Sequence, residues 1–106
     1  MLNDKQLSDA IRGSDYVIHV ASPFSRETDE SAFIPAAVEG TMSVMRACKK
    51  HGVRRCVLTS SVAAAIFPNQ RPEALFNESF WSDANNSSIS AYAKSKTLAE
   101  KAAWDY

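Results

Sequence analysis

Apolar residues recur along this chain at two different spacings, which together predict three helices and two strands. The first segment, 4–12, has apolar residues at helical spacing and ends at Gly13. A longer helix is predicted where apolar residues return every three or four positions over 33–48. Two lysines and a histidine at 49–51 occupy its last turn, where cations suit the helix dipole, and Gly52 is a natural C-cap.

Two short apolar runs, rich in β-branched residues, predict strands over 16–21 and 53–59. Apolar and polar residues do not alternate cleanly in them, so both strands are expected to be buried on their two faces. Residues 62–88 then predict a long loop, and a third helix is predicted from Ser90 onward. Its N-cap is either Ser88 or Ser90, since a serine hydroxyl accepts a hydrogen bond from the first turn of a helix.

The order helix, strand, helix, strand, loop and helix predicts an α/β fold of parallel βαβ units with right-handed crossovers. Two parallel strands make a sheet too small to be independently stable, and a parallel sheet needs cover on both faces. We therefore expect residues 1–106 to be one incomplete domain, the central part of a larger doubly wound parallel sheet. The alternative is that the chain completes its sheet by association with another chain.

The composition narrows the range of partners. The 106 residues include 12 basic and 12 acidic side chains, so no electrostatic attraction to nucleic acid or to an anionic membrane is expected. No apolar run approaches the ~20 residues of a membrane-spanning helix. The first residues lack the basic-then-apolar order of a signal peptide, so a cytoplasmic setting is expected. Cys48 and Cys56 do not have metal-site spacing, so we expect buried, reduced thiols and no metal.

The third predicted helix contains a tyrosine with two lysines close behind it. Tyr92 and Lys96 are four positions apart and share a helix face, about 6 Å apart at Cβ, whereas Lys94 points away. A free tyrosine hydroxyl, with a pKa of about 10, is a poor proton donor near neutral pH. An ammonium within about 4 Å stabilises the ionised form and so suits a tyrosine to acid–base chemistry. The spacing by itself is equally consistent with two side chains on a helix surface that have no role in chemistry.

Small and hydroxyl-bearing residues follow both predicted strands. In an open α/β sheet, ligands bind at the carboxyl ends of the strands, where Ser60 and Ser61 follow the second strand. A hydroxyl there can donate to a substrate carbonyl oxygen, although serine also commonly ends a strand. Ala21, Ser22 and Pro23 leave the first strand at the same edge, where small residues let a ligand approach the backbone.

These features occur together within longer stretches of characteristic sequence. The stretches are HVASPF (19–24), PAAVEGTMSVMRACKKHGVRRCVLTSSVAA (35–64), FNESFWSD (76–83) and YAKSKTLAEKAAWDY (92–106). In them the chain resembles the extended short-chain dehydrogenase/reductase family, and within it the branch of dihydroflavonol reductases and cinnamoyl-CoA reductases. Microbial ketone and aldehyde reductases of the same branch look equally close.

The resemblance implies a Rossmann-like fold and NADP(H)-dependent reduction of a small ketone or aldehyde, with NAD(H) as the alternative cofactor. Tyr92 would protonate the substrate oxygen, and Lys96 would favour ionisation of the tyrosine and hydrogen-bond the nicotinamide ribose. Ser61 would orient the carbonyl and stabilise charge on its oxygen, with Ser60 as the neighbouring alternative. The residues that would line the dinucleotide are Ala21, Ser22, Pro23, Thr59, Ser60, Tyr92 and Lys96.

Two further side chains have roles that the resemblance leaves open. His19 lies inside an apolar strand and is expected to be a core histidine. Trp81 lies in the long loop, where it either lines the substrate or nicotinamide pocket or anchors the loop to the sheet.

Part of the family's pattern is missing from this sequence. The family opens with a strand and a glycine-rich turn that holds the pyrophosphate, whereas Gly13, Gly40 and Gly52 form no such turn. The C-terminal substrate-binding lobe is missing as well. We therefore expect the segment to be inactive alone and to act as part of a longer reductase. The alternative is a truncated paralogue or interaction module that retains the motif without catalysis.

Overall fold

Three helices and a two-stranded parallel sheet make up the fold of the described residues, which in this computed structural model are 3–23, 30–67 and 75–106. In chain order the elements are α1 (Asp4–Ile11), β1 (Tyr16–His19), α2 (Glu30–Lys50), β2 (Arg55–Leu58), a short 3-10 helix (Val62–Ala64) and α3 (Ala91–Asp105). The strands pair in parallel, with Tyr16 opposite Arg55 and His19 opposite Leu58. Because α2 connects two parallel strands, the predicted βαβ unit and the α/β class are confirmed.

Local hydrogen bonds set where the helices begin and end. At the start of α1, the Asn3 side chain accepts from the Gln6 amide at 2.9 Å, and the Gln6 side chain accepts from the Asn3 amide at 3.2 Å. At the start of α3, the Ser90 hydroxyl accepts from the Ala93 amide at 3.1 Å, so Ser90 is the N-cap of the two candidates. Gly52 follows α2 with φ of +66°, which glycine adopts without steric cost.

The apolar core lies between α1, α2 and one face of the sheet. Its buried centre consists of Ile11, Val44, Ala47 and Cys48. Half-buried residues from α1, both strands and the turn before β2 pack against this centre, namely Leu7, Val17, Val53 and Cys56. Full burial of an aliphatic side chain contributes about 1.5–3 kcal/mol to the stability of the fold. The apolar residues whose spacing predicts α1 and α2 therefore include residues that stabilise the folded chain.

The other face of the sheet differs from the prediction. Tyr16 and Ile18 are 63% and 70% exposed and Val57 is 50% exposed, whereas Val17 and Cys56 on the opposite face are half-buried. The expectation that both faces are buried is therefore wrong for the described part of the chain, because its helices pack on one face only. The strands are also shorter than predicted, since four residues of each are paired.

The segment before α3 is anchored by Ser82, within the region predicted as a long loop. The Ser82 side chain is 1% exposed, donates to the Ala63 carbonyl and accepts from the Phe67 amide, each at 2.7 Å. Its backbone amide donates to the Ala64 carbonyl at 2.7 Å. These bonds fasten the segment to the 3-10 helix that follows β2. Residues 68–74 of the predicted loop lie outside the described residues.

Both cysteines are free thiols, as predicted, but only one is fully buried. Cys48 is buried in the core, while Cys56 on β2 is half-buried. Burial, and then the neighbouring Cys56, raise the pKa of Cys48 to about 11, so this thiol is protonated at neutral pH. Within the described ranges, no three His, Cys, Asp or Glu side chains cluster closely enough to hold a metal ion. None of the helices described is both long and apolar enough to cross a membrane.

Candidate active site

The carboxyl ends of both strands meet α3 at a narrow cleft. The chain leaves β1 through Ala21 and Ser22 and leaves β2 through Thr59 and Ser60, while α3 contributes Lys96. Parallel strands end at the same edge of a sheet, which is why residues far apart in sequence come together here. The cleft is further lined by His19, Thr41, Leu58, Ala99 and Glu100.

The Lys96 side chain is buried against the end of β2. It is 8% exposed, and its Nζ donates to the Thr59 carbonyl oxygen at 3.3 Å. Lysine is almost never fully buried unless its charge has a partner. An ammonium has three donors, and Thr59 takes one of them. The site thus contains a fixed positive charge at the edge of the sheet.

Tyr92 lies one helical turn before Lys96, in the arrangement that the four-residue spacing predicts. The Nζ of Lys96 is 5.9 Å from the centre of the Tyr92 ring, and the Tyr92 side chain is 36% exposed. Tyr92 therefore combines access from solvent with proximity to a buried cation. Neither Tyr92 nor Pro23 belongs to the lining described for the narrow cleft; their neighbours Lys96 and Ser22 do.

The two serines after β2 make different hydrogen bonds. The Ser60 hydroxyl donates to Oε2 of Glu100 on α3. The Ser61 hydroxyl instead accepts from the Ala63 amide at 3.1 Å and caps the 3-10 helix. Because accepting a hydrogen bond uses a lone pair, the Ser61 hydroxyl can still donate a hydrogen bond, whereas the Ser60 hydroxyl already donates to a carboxylate.

Ser60 and Ser61 also line a second, wider cleft, with Trp81 in its wall. The Trp81 side chain is 39% exposed, and Nζ of Lys101 lies 5.2 Å from the centre of its ring. The remaining lining residues are mostly apolar: Val62, Ala64, Ala65, Ile66, Phe76, Asn77, Glu78 and Glu100. Trp81 is therefore part of a cleft wall, and the buried anchor of this loop is its neighbour Ser82.

His19 lies at the edge of the site, which corrects the expectation of a core histidine. Its side chain is half-buried and forms part of the narrow cleft. Burial, and then the positive charge of Lys96, lower the pKa of His19 below its usual 6.5, so the imidazole is neutral at pH 7. Its backbone carbonyl accepts from the Thr59 amide at 2.9 Å and continues the pairing of the strands.

Glu100 belongs to the site but is absent from the prediction. Its two carboxylate oxygens have separate donors: Ser60 bonds Oε2, and Nε1 of Trp104 bonds Oε1 at 3.4 Å. Glu100 lies four residues after Lys96 and eight after Tyr92, so the three share one face of α3. The spacing that singles out Lys96 identifies Glu100 when it is extended by one more turn.

Known proteins match this chain over nearly its whole length. The family model of the 3-beta hydroxysteroid dehydrogenase/isomerase family matches residues 1–105. Cinnamoyl-CoA reductase 1 of Petunia hybrida is 37% identical in an alignment 108 residues long, which covers 99% of this chain and 32% of the relative. Dihydroflavonol 4-reductase of Zea mays is 43% identical in an alignment 106 residues long, which covers 92% of this chain and 29% of the relative.

A solved structure extends the match to three dimensions. Yeast methylglyoxal/isovaleraldehyde reductase Gre2, complexed with NADPH, has a TM-score of 0.79 and 34% identity over 96% of this chain and 33% of its own. The chain thus spans about a third of the length of the relatives it matches. The Rossmann-like fold class and the predicted resemblance are confirmed. The chain belongs to the 3-beta hydroxysteroid dehydrogenase/isomerase family, alongside the dihydroflavonol and cinnamoyl-CoA reductases of the extended short-chain dehydrogenases/reductases.

Proposed function

We propose that residues 1–106 are the central part of an NADP(H)-dependent reductase domain that converts a small ketone or aldehyde to an alcohol. One observation carries the proposal: the buried Lys96 ammonium lies at the carboxyl end of β2, one helical turn from Tyr92. This is the edge of an α/β sheet at which ligands bind. Relatives named as reductases, one of them solved with NADPH, support the reaction class and the cofactor.

The residues at the strand ends have the chemistry to contact the nicotinamide half of a dinucleotide. Small side chains after β1 leave the backbone approachable, and Lys96 offers a charged donor for ribose hydroxyls. The proposed lining residues are Ala21, Ser22, Pro23, Thr59, Ser60, Tyr92 and Lys96. When bound, the reduced nicotinamide supplies the hydride for the carbonyl carbon. The sequence contains no glycine-rich turn, so we assign the pyrophosphate to another part of a longer chain and expect the isolated segment to be inactive.

In this proposal Tyr92 is the general acid of the reduction. Its hydroxyl gives a proton to the substrate oxygen as the carbonyl is reduced, and the proton is later replaced from solvent. The phenolate left behind is stabilised by the Lys96 ammonium, whose charge is screened less because the side chain is buried. The bond from Lys96 to the Thr59 carbonyl fixes the cation before reaction, so little reorganisation is needed.

We assign the carbonyl-orienting role to Ser61 rather than to Ser60. The Ser61 hydroxyl can still donate a hydrogen bond to the substrate oxygen, whereas the Ser60 hydroxyl already donates one to Glu100. Ser61 also lines the wide cleft that contains Trp81, whose largely apolar wall suits the organic part of a small carbonyl compound.

The proposal is tested with the longer protein that contains this chain. NADPH consumption is followed with a panel of small ketones and aldehydes, with NADH as the comparison cofactor and the isolated 106-residue chain as the comparison protein. We expect carbonyl-dependent consumption, faster with NADPH, accompanied by stoichiometric alcohol, and no turnover by the isolated chain. A folded longer protein that consumes neither cofactor with any carbonyl would favour the non-catalytic interaction module instead.

A further inference from the structure

We propose that Glu100 is a positioning residue that fixes the register of α3 against the end of β2 and thereby sets the distance between Tyr92 and Ser61. This inference rests on the proposed reductase function and concerns a residue that touches neither reacting atom. It begins from two side-chain bonds on successive turns of one helix. Lys96 donates to the Thr59 carbonyl at 3.3 Å, and Glu100 accepts from the hydroxyl of Ser60.

These two bonds join consecutive turns of α3 to consecutive residues of the chain. α3 also packs against α2 and the 3-10 helix, and two bonds from residues about 6 Å apart along the helix axis restrain sliding and rotation against the end of β2 more than one bond would. The residue after Ser60 is Ser61, and the residue one turn before Lys96 is Tyr92. The pair of bonds therefore links the element that carries the proposed acid to the element that carries the proposed carbonyl donor.

The Glu100 carboxylate is itself held in orientation. Trp104 donates from Nε1 to Oε1 at 3.4 Å, while Ser60 bonds the other oxygen. Bonds to an ionised carboxylate are stronger than bonds between neutral groups, so Glu100 is better suited to fix a serine hydroxyl than a neutral residue of the same length. The side chain is half-buried, where competition from water is reduced.

The bond between Ser60 and Glu100 also affects the role of Ser60 itself. By accepting the hydrogen bond that the Ser60 hydroxyl donates, Glu100 removes Ser60 from competition for the substrate carbonyl and leaves that role to Ser61. A change at Glu100 is thus expected to act twice, by loosening the helix register and by freeing a second hydroxyl beside the reacting oxygen.

The test uses the longer protein in steady-state NADPH-dependent reduction, with variants Glu100→Ala, Glu100→Gln, Ser60→Ala and the double variant Ser60→Ala/Glu100→Ala. Since misplacement of reacting groups by about 1 Å can cost on the order of 100-fold, we expect Glu100→Ala to lower kcat about tenfold or more, per folded molecule, with KM values for the carbonyl changed less than about threefold. Glu100→Gln retains a carbonyl oxygen for Ser60 and is expected to recover kcat to within about threefold. Asp105→Asn, an exposed acidic residue on the same helix, is the matched control.

Glu100 is inferred to act through Ser60, so the double variant should be no slower than the slower single variant. Each of three results would overturn the inference. They are an unchanged kcat in Glu100→Ala, losses that multiply in the double variant, and a Glu100→Gln variant as slow as Glu100→Ala. If Glu100→Ala does not fold, Ser60→Ala is compared with Ser60→Ala/Glu100→Gln, and a further loss beyond about twofold overturns it. Failure of the reductase proposal is distinguishable, because the parent protein itself would then show no carbonyl-dependent NADPH consumption.

Discussion

The apolar cluster around Val44 and the polar cluster around Lys96 are both built on the helix-covered face of one small sheet, yet they are held together differently. In the first, buried aliphatic side chains of α1 and α2 pack against Val17 and Cys56, and any side chain of similar shape would serve. In the second, the buried cation and the carboxylate each depend on particular hydrogen-bond partners, and burial beside the cation keeps the imidazole neutral. The comparison separates residues that stabilise the fold from residues that the fold positions for chemistry.

The largest expected effect comes from removing the buried charge. Lys96→Met keeps the length and apolar stem of the side chain but removes the ammonium, so the longer protein should lose on the order of 100-fold or more in kcat/KM. Lys94→Met removes a lysine two positions away on the same helix and should stay within about threefold of the parent. Equal losses in the two variants, measured as NADPH consumption, would show that helix position does not distinguish the two lysines.

The next largest effect is a difference in unfolding free energy between substitutions on the two faces of the sheet. Ile11→Ala removes a core side chain that is 6% exposed and should lower the free energy of unfolding by about 2–5 kcal/mol. Ile18→Ala removes the same atoms from a residue that is 70% exposed and should cost no more than about 1 kcal/mol. Urea denaturation of the 106-residue chain measures both, once a cooperative unfolding transition shows that the isolated segment folds. Equal costs would contradict the exposure of the outward face and indicate that it is covered, for example by a second copy.

A smaller effect is expected at the anchor of the loop. Ser82→Ala takes one hydrogen-bond partner from the Ala63 carbonyl and one from the Phe67 amide, and should cost about 1–3 kcal/mol. The Phe67 amide should also exchange its hydrogen faster. Ser87→Ala, at an exposed serine of the same segment, should change stability by about 0.5 kcal/mol or less. Unchanged exchange at Phe67 in Ser82→Ala would rule out the anchoring role.

The smallest effect is a dependence of stability on pH. The pKa of His19 is lower in the folded chain than its usual 6.5, so the unfolded chain binds more protons as the pH falls. The contribution of neutral His19 is fully present above about pH 6.5 and is lost as the pH falls through the lower, folded pKa. Denaturation midpoints across this range should decline less steeply in His19→Gln. The same slope in the variant and the parent would exclude His19 as the cause.

The difference between the apolar cluster around Val44 and the polar cluster around Lys96 also determines which features can be predicted from the sequence. Helical spacing predicts α1, α2 and α3, and it selects Lys96 over Lys94, because these features depend on residues three or four positions apart. The exposed face of β1 is not predictable in this way, since whether Ile18 is buried depends on what else packs on the sheet. An apolar run shows only that a strand tolerates burial.

Hydrogen-bond partners far along the chain set the other limit. Ser60 and Ser61 look equivalent in the sequence, and the difference between them comes from Glu100, forty residues away. Ser82 likewise resembles an ordinary loop serine until its bonds to Ala63 and Phe67 are known, at separations of 19 and 15 residues. The catalytic and cofactor-binding roles of the site residues stay predictions.

The most direct test of the Tyr92–Lys96 pair is the NADPH-dependent turnover of Tyr92→Phe in the longer protein, with Tyr16→Phe as the control that removes a hydroxyl from an exposed tyrosine on β1. Loss of a general acid lowers the rate by about 100- to 10,000-fold, so the account predicts a fall of at least that lower size in Tyr92→Phe and an unchanged rate in Tyr16→Phe. Turnover of folded Tyr92→Phe within about threefold of the parent would contradict it.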